Sequence, residues 1–451
     1  MANPLEPTSP RKVWPGARPD DAPTRVRYRV LFVTTLAAVV LYLDRNCLAE
    51  VLKYDDVKRS LGLDKDWQVA WSLSAFYWTY AVAQVPTGWL GDRFGARTMM
   101  VVYIAGWSAC TALMGWATGF AMLCVFRLST GAAQAGAYPT SGALLSRWMP
   151  LAERGLASSV VAWGGRVGGA IAPDLTTRLM LSFGNWQGVM LSYGVLGLGV
   201  SGLFWLVFRE RPERHPRSNA AERRLIAAGR PASGDSPPLR TGLPFAPLIA
   251  SSSMWLMCVS QFTTNVGWVF LVTWLPSYLK EAKRMPDAAG GRMTTWVLFA
   301  GMAGMLLGGY LTDRATRALG LRWGRSLPLV LSRFMAAAAF MVVPWLDSPL
   351  AVAAAFAVVA FSTDLGVAGT WAYMQDVGGG HVGSVLGWGN MWGNFGAAVS
   401  PPLLEWVNRG QGQVPNWNIG FAVCAISFVI SGLASLGIDA TKPIVPDHAN
   451  L

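Results

Sequence analysis

Charge is scarce in this 451-residue chain. Asp, Glu, Lys and Arg make up 14% of it, against about 25% in a soluble globular protein. That shortage excludes a set of two or three soluble domains, and the 53% hydrophobic content excludes disorder. Histidine is scarcer still. The three, His215, His381 and His448, lie in or beside polar segments, so no buried His cluster is available for zinc or a proton relay. The five cysteines, Cys47, Cys110, Cys124, Cys258 and Cys424, all fall in apolar stretches, and none is in a CxxC. Neither a disulfide framework nor a thiolate metal site is implied, and small core residues are expected. With no Ser/His pair and no His/acid cluster, an enzyme, a cofactor or a bound metal is not expected. The first 27 residues lack any apolar run and are rich in Pro and Arg. They read as a tail, so the first helix is expected to insert without cleavage.

What is abundant points to a membrane. Twenty-two Trp and 49 Gly suit membrane helices and their interfaces. Apolar runs fall at 28–49, 68–90, 98–117, 120–147, 155–180, 186–208, 247–279, 291–312, 326–346, 349–375, 382–407 and 417–438. Each is near the roughly 20 residues that a spanning helix needs. The run at 120–147 holds Gly136 and Pro139 and is read as one kinked helix. The expected fold is therefore all-α and integral to the membrane, with twelve transmembrane helices. Residues 1–27 form an N-terminal tail, 28–208 one six-helix half, 209–246 a linker, 247–438 a second half and 439–451 a C-terminal tail. The linker is expected to carry a short amphipathic helix near Ala220–Ala228. Both tails are short, which argues against a membrane sensor with an output domain.

The net charge of +12 is a topology signal. With the N-terminus inside, 23 Lys and Arg fall on the tails, the linker and the inner loops, and nine on the outer loops. This bias places both ends in the cytoplasm. No nucleic-acid partner is then needed to explain the basic excess. The lipid bilayer is the expected surrounding and a monomer the expected state.

An internal repeat supports two parallel halves. Gly155–Pro173 (GLASSVVAWGGRVGGAIAP) and Gly383–Pro401 (GSVLGWGNMWGNFGAAVSP) align at an offset of 228, placing Arg166 on Asn394. Gly88-Trp-Leu-Gly-Asp92-Arg93 aligns with Gly309-Tyr-Leu-Thr-Asp313-Arg314 at an offset of 221. A ligand site is expected between the halves near mid-membrane.

Ionisable residues inside spans are costly and are functional candidates by default. The cations are Arg45, Arg127, Arg166, Arg178 and Arg333. Arg178 and Arg333 lie toward span ends, where snorkelling or packing is favoured. Arg45, Arg127 and Arg166 lie deeper, and few acids are available to neutralise them: Asp44, Asp174 and Asp364. An excess of cation in a low-dielectric cavity favours an anionic substrate. The competing reading is structural pairing, for instance Asp44 with Arg127. Helical spacing groups Arg127, Gly131, Gln134 and Tyr138 on one face, Tyr77, Tyr80 and Gln84 on another, and Gln261, Thr264, Asn265 and Trp268 on a third. Asn390 and Asn394 share a further face, and Asp364 shares one with Trp371. The neutral donors suit a polyhydroxy acid, or else hydrogen-bond between helices.

GWLGDRFGAR (Gly88–Arg97) after the second run resembles the loop signature of the major facilitator superfamily. LYLDRN (Leu41–Asn46), RLSTGAAQAGAYP (Arg127–Pro139), RWMPLAERG (Arg147–Gly155), RPERHP (Arg211–Pro216) and TWAYMQDVGGG (Thr370–Gly380) are similar to its anion:cation symporter branch. That branch includes galactonate, glucarate and phthalate permeases, sialic-acid transporters and vesicular glutamate transporters. The resemblance implies two pseudo-symmetric halves and alternating access, with a small organic anion carried by proton-coupled symport. An anion exchanger or uniporter without proton coupling, or a non-transporting sensor, are the alternatives. It further implies the proton as coupling ion, with sodium as the alternative; the short loops and the lack of organelle targeting fit a bacterial inner membrane. The expected substrate site is Arg45, Tyr80, Arg127, Gln134, Arg166, Asn265, Trp371, Asn390 and Asn394. Asp44 and Asp364 are the expected coupling acids. The expected gate is Gly88, Gly91, Asp92, Arg93, Gly95, Arg97, Glu153, Arg154, Asp313 and Arg314, with Asp92 accepting from helix-terminal N–H groups of the other half. Where the branch usually carries a Glu in the fourth helix, this chain has Gln134, which does not titrate.

Overall fold

A computed structural model describes residues 22–228, 242–409 and 416–444. Most of the N-terminal tail, linker residues 229–241, loop residues 410–415 and the end of the C-terminal tail lie outside the described residues. Twelve long helices account for every apolar run, and no strand occurs among the described residues. They are α1 (Val26–Val51), α2 (Asp66–Phe94), α3 (Ala96–Met114), α4 (Phe120–Ala135 continued by Ala137–Trp148), α5 (Arg154–Phe183) and α6 (Trp186–Val207). The second half has α7 (Ser252–Thr273), α8 (287–319), α9 (321–342), α10 (Pro349–Leu365 continued by Val367–Val377), α11 (Val382–Arg409) and α12 (Trp417–Leu436).

Sequence punctuation sets the ends. Gly95 (φ 91°) turns α2 into α3, and Gly320 (φ 78°) turns α8 into α9, conformations that residues with a Cβ seldom adopt. The Ser251 hydroxyl accepts from Met254 N–H, and the Asn185 side chain from Gly188 N–H, capping α7 and α6. α4 breaks at Gly136, as its glycine and proline lead one to expect, and α10 breaks at Gly366.

Six described helical stretches, one of which spans α8 and α9, are long and apolar enough by composition alone to cross a membrane. α2, α3, α4, α5 and α11 fall below that mark, and of these α2, α5 and α11 carry glycines at the contact between the halves. Outward-pointing side chains such as Leu181, Leu206 and Trp296 are more than 70% exposed, as expected of surfaces solvated by lipid.

The repeat is visible in the packing. A Cβ on Gly168 of α5 would lie 2.2 Å from the Val39 carbonyl oxygen of α1. A Cβ on Gly396 of α11 would lie 2.1 Å from the Phe262 oxygen of α7. The two glycines are 228 positions apart, the offset seen in the sequence. Each lets two backbones approach where any side chain would hold them apart.

The linker helix (Ala220–Ala227) forms where its amphipathic pattern placed it. Its Glu222 is fully buried and accepts from the Val26 and Arg27 N–H groups at 3.3 and 3.2 Å. A linker carboxylate thus caps the start of α1, satisfying donors that the helix cannot satisfy itself.

Candidate functional site

The candidate gate comes first, because its geometry repeats. Asp92, at the end of α2, is 1% exposed. Its carboxylate accepts from Gly383 N–H (2.8 Å), Ser384 N–H (2.7 Å) and the Ser384 hydroxyl (2.8 Å) at the start of α11. Asp313, at the corresponding place in α8, accepts from Gly155 N–H (2.9 Å) and Leu156 N–H (2.8 Å) at the start of α5. Each half thus supplies one acid that caps a helix of the other, as the sequence led us to expect for Asp92. The glycines make the approach feasible: a Cβ on Gly88 would lie 2.2 Å from the Gly383 oxygen, and one on Gly155 2.7 Å from Asp313 Oδ1. Gly91 abuts Thr140 in the same way.

Around Asp313 lies an ion network that the sequence reading missed in part. Arg154 donates to Asp376 (2.7 Å) and to the Ser146 carbonyl (2.8 Å). Arg325 bridges Asp376 (2.8 Å), Asp313 (3.2 Å) and the Leu151 carbonyl (2.9 Å). Asp376 is therefore held by one guanidinium from each half. In the sequence Arg325 reads only as an inner-loop charge, and Asp376 lies inside the Thr370–Gly380 motif. The remaining gate candidates are placed elsewhere. Arg93 is exposed against the Trp89 and Phe94 rings, and Arg314 is exposed. Arg97 lies over Trp205 and donates to its carbonyl, while Ala96 and Arg97 N–H groups are capped by Glu210, which also meets Gly95. Glu153 pairs with Arg27 at 3.6 Å. These contacts stay within the first half and its linker, so none of them spans the gate.

The interior site is built on α1. Arg45 is half-buried, its guanidinium 4.8, 4.9 and 4.5 Å from the Tyr42, Phe76 and Tyr80 ring centres. Its Nε donates to Gln134 Oε1 at 3.2 Å, and the Gln134 amide donates onward to the Leu41 carbonyl. Arg45 Nη2 is buried and has no hydrogen-bond partner, and Arg45 has no ion-pair partner among the described residues. Three rings and a neutral amide therefore hold a cation whose charge the protein does not neutralise. Tyr80 stacks on Phe76, whereas Tyr77 is exposed.

Arg166 of α5 reaches the other half. Its Nη2 lies 3.0 Å from Asp364 Oδ1 of α10, and its guanidinium lies over Trp268 of α7 at 4.8 Å. Tyr42 and Tyr138 adjoin both Arg45 and Arg166. Trp371 meets Tyr138 edge-on at 5.1 Å. Asn265, Asn390 and Asn394 are half-buried, on α7 and α11. The side-chain amides of Asn265 and Asn394 donate back to the Gln261 and Asn390 carbonyls. Thr264 instead bonds Ser431 inside the second half.

Three further charges are buried. Arg127 is 2% exposed and directs its donors to the Ser72, Leu73 and Arg45 carbonyls at 3.3 to 3.5 Å. It ties α4 to α1 and α2, lies over the Phe76 ring at 4.9 Å, and does not pair with Asp44. Asp44 points about 100° away from Arg45 around α1 and is buried beside Trp107, Ser108 and Gly197. Of the two readings for Arg333, snorkelling or packing, the structure shows packing: it is 1% exposed and donates to the Thr363 carbonyl at 3.0 Å. Arg178 pairs with Asp174 on an exposed face, as its position near a span end suggested. Among the described residues no group of His, Cys, Asp and Glu is arranged to hold a metal.

Comparison with known proteins agrees with this fold. The family model described as Major Facilitator Superfamily matches residues 34–401. A probable sulfoacetate transporter of Cupriavidus necator, SauU, is 30% identical over 92% of this chain and 94% of its own length. A probable galactarate/D-glucarate transporter of Bacillus subtilis, GudP, is 26% identical over 95% of each. The D-galactonate transporter of Escherichia coli is 28% identical over 87% of this chain and 92% of its own length. Among solved structures, the Escherichia coli fucose:proton symporter FucP superposes with a TM-score of 0.68, at 13% identity over 91% of this chain and 98% of that one.

Proposed function

Because the chain belongs to the major facilitator superfamily, we propose that it is a secondary active transporter of small organic anions working by alternating access, with proton-coupled symport as its mode. One observation carries the anion: Arg45 Nη2 stays buried without a partner while three rings and Gln134 fix the rest of the guanidinium. A carboxylate or sulfonate is the group that completes such a donor. Arg166 supplies a second cation. Asn265, Asn390 and Asn394 offer amide oxygens to hydroxyls, and Trp371 walls the site beside Tyr138. The relatives named for sulfoacetate, galactarate, D-glucarate and D-galactonate support a substrate of this class.

Asp44 is the group we assign to the proton. It is fully buried between α1, α3 and α6 and faces no cation among the described residues. A second reading, exchange or uniport without proton coupling, is favoured by Gln134 alone, since an amide binds no proton at the place where an acid would sit.

In this reading the protein lies as a monomer in a bacterial plasma membrane with both termini cytoplasmic. The face closed by Asp92, Asp313, Arg154 and Arg325 is then cytoplasmic, and the site is reached from the other side. The test is ligand binding to detergent-purified protein, with sulfoacetate, D-galactonate and D-glucarate set against neutral sugars. A ligand at about 100 times its dissociation constant stabilises by roughly 2.7 kcal/mol. Stabilisation by anions alone, lost in Arg45→Ala, is expected. Stabilisation by neutral sugars instead would mean that the arginines are structural.

A further inference from the structure

The charges around Arg166 do not balance, and the imbalance assigns a role to Asp364. Two guanidiniums flank this one carboxylate. Arg166 of α5 is bonded to Oδ1 at 3.0 Å. Arg333 of α9 lies behind, donating to the carbonyl of Thr363, the neighbour of Asp364, at 3.0 Å, and among the described residues it makes no ion pair. Gly301 of α8 closes the other side: a Cβ there would lie 2.7 Å from Asp364 Oδ2. Trp268 of α7 covers Arg166. The cluster therefore carries two positive charges and one negative, drawn from both halves, and one further anion would neutralise it.

Exposure shows which cation is available to that anion. The Arg166 side chain is 26% exposed, that of Asp364 6%, and Arg333 is 1% exposed. Asp364 holds Arg166 by a single prong, and among the described residues the rest of that fork has no protein acceptor. Arg333 is sealed away from any ligand, yet the same carboxylate is within its field. One acid thus serves two cations, of which only one can be reached.

We propose that Asp364 is a resident counter-anion that occupies Arg166 in the empty transporter and competes with the substrate's acid group for it. Arrival of substrate leaves Asp364 to Arg333, neutralises Arg166 and removes the ion pair that ties α5 to α10. Binding is thereby coupled to release of an inter-half contact, with no proton required at this site. Gly301 gives the carboxylate room to lie between the two cations. The inference rests on the anion-transport reading above, but it concerns the empty state and makes a prediction of opposite sign to that of a structural ion pair.

The test is equilibrium binding of D-galactonate, D-glucarate and sulfoacetate to the purified full-length chain, with Asp364→Asn, Asp364→Glu and Gly301→Ala beside the unsubstituted protein. Removing the internal competitor should tighten the best of these probes by about tenfold in Asp364→Asn. Asp364→Glu should bind as the parent does. Gly301→Ala, which displaces the carboxylate while keeping its charge, should tighten binding by a smaller factor. A folded Asp364→Asn protein that binds these anions equally or more weakly overturns the competition. If that variant does not fold, Gly301→Ala decides by the same criterion. A parent protein that binds none of the three, nor any other organic anion, overturns instead the transport reading beneath it.

Discussion

Replacing Asp92 by Asn should open the face that it closes, and the geometry sets the size of the effect. The carboxylate accepts three hydrogen bonds from the other half, two from backbone N–H groups and one from a hydroxyl, all between 2.7 and 2.8 Å. A hydrogen bond to a charged group contributes about 1.5–3 kcal/mol net. Asparagine keeps one oxygen to accept and turns an NH2 group toward donors, so roughly half of the interaction is lost and one contact becomes repulsive. In the alternative state the residue faces water, where Asp and Asn differ little. A differential loss of about 3 kcal/mol shifts the ratio of closed to open protein on the order of 100-fold. The assay is a distance distribution between spin labels on Thr98 and Leu319, exposed positions at this end of the two halves. Cys110 and Cys124, the cysteines not buried, would first be replaced by Ser. Asp92→Asn should move the main population to longer distances. Asp313→Asn should do the same, because it removes the matching cap on α5. A distribution unchanged in both variants would refute the reasoning. Opening in one alone would refute the pseudo-symmetric account of the gate.

Three further outcomes follow from single contacts. Arg127→Ala should lower thermal stability by about 2–4 kcal/mol, because three buried carbonyls lose their donor, while the folded fraction keeps its anion affinity; a weakened affinity at unchanged stability would return Arg127 to the ligand site. Gln134→Glu places a carboxylate on Arg45 and gives up the donor to the Leu41 carbonyl, so anion affinity should fall about tenfold at neutral pH and recover as acid protonates the new group; a pH-independent affinity would contradict the pairing. Glu222→Ala uncaps α1 and leaves Arg27 only its longer pair with Glu153, so stability should drop by about 1–2 kcal/mol with ligand binding intact; an unchanged melt would show that the linker helix does not hold α1.

The fold was legible in the sequence because it is written twice. The offset of 228 joins Gly168 to Gly396, which turn out to be equivalent helix contacts. The offset of 221 joins Asp92 to Asp313, which turn out to be reciprocal caps. Partners that lie far apart without such a repeat were not legible. Asp376 lies 222 positions from Arg154 and 51 from Arg325, and nothing local in the sequence joins them. Arg127 shows a second limit. Its place deep in a span was clear, but a guanidinium that serves backbone carbonyls leaves no side-chain signature. Asp44 and Arg45 show a third. Neighbours on a helix point about 100° apart, so the adjacent pair divides, Arg45 toward α2 and α4, Asp44 toward α3 and α6. The depth of each charge followed from hydropathy, whereas its direction needed the packing.

The central claim, that an organic anion crosses the membrane through the site around Arg45, is tested most directly by counterflow in proteoliposomes. Vesicles loaded with an unlabelled acid found to bind would be diluted into the same acid, radiolabelled. The account expects saturable exchange, competed by other small organic anions but not by their neutral analogues, and abolished in Arg45→Ala. Exchange that neutral sugars compete, or that survives in Arg45→Ala, would contradict it.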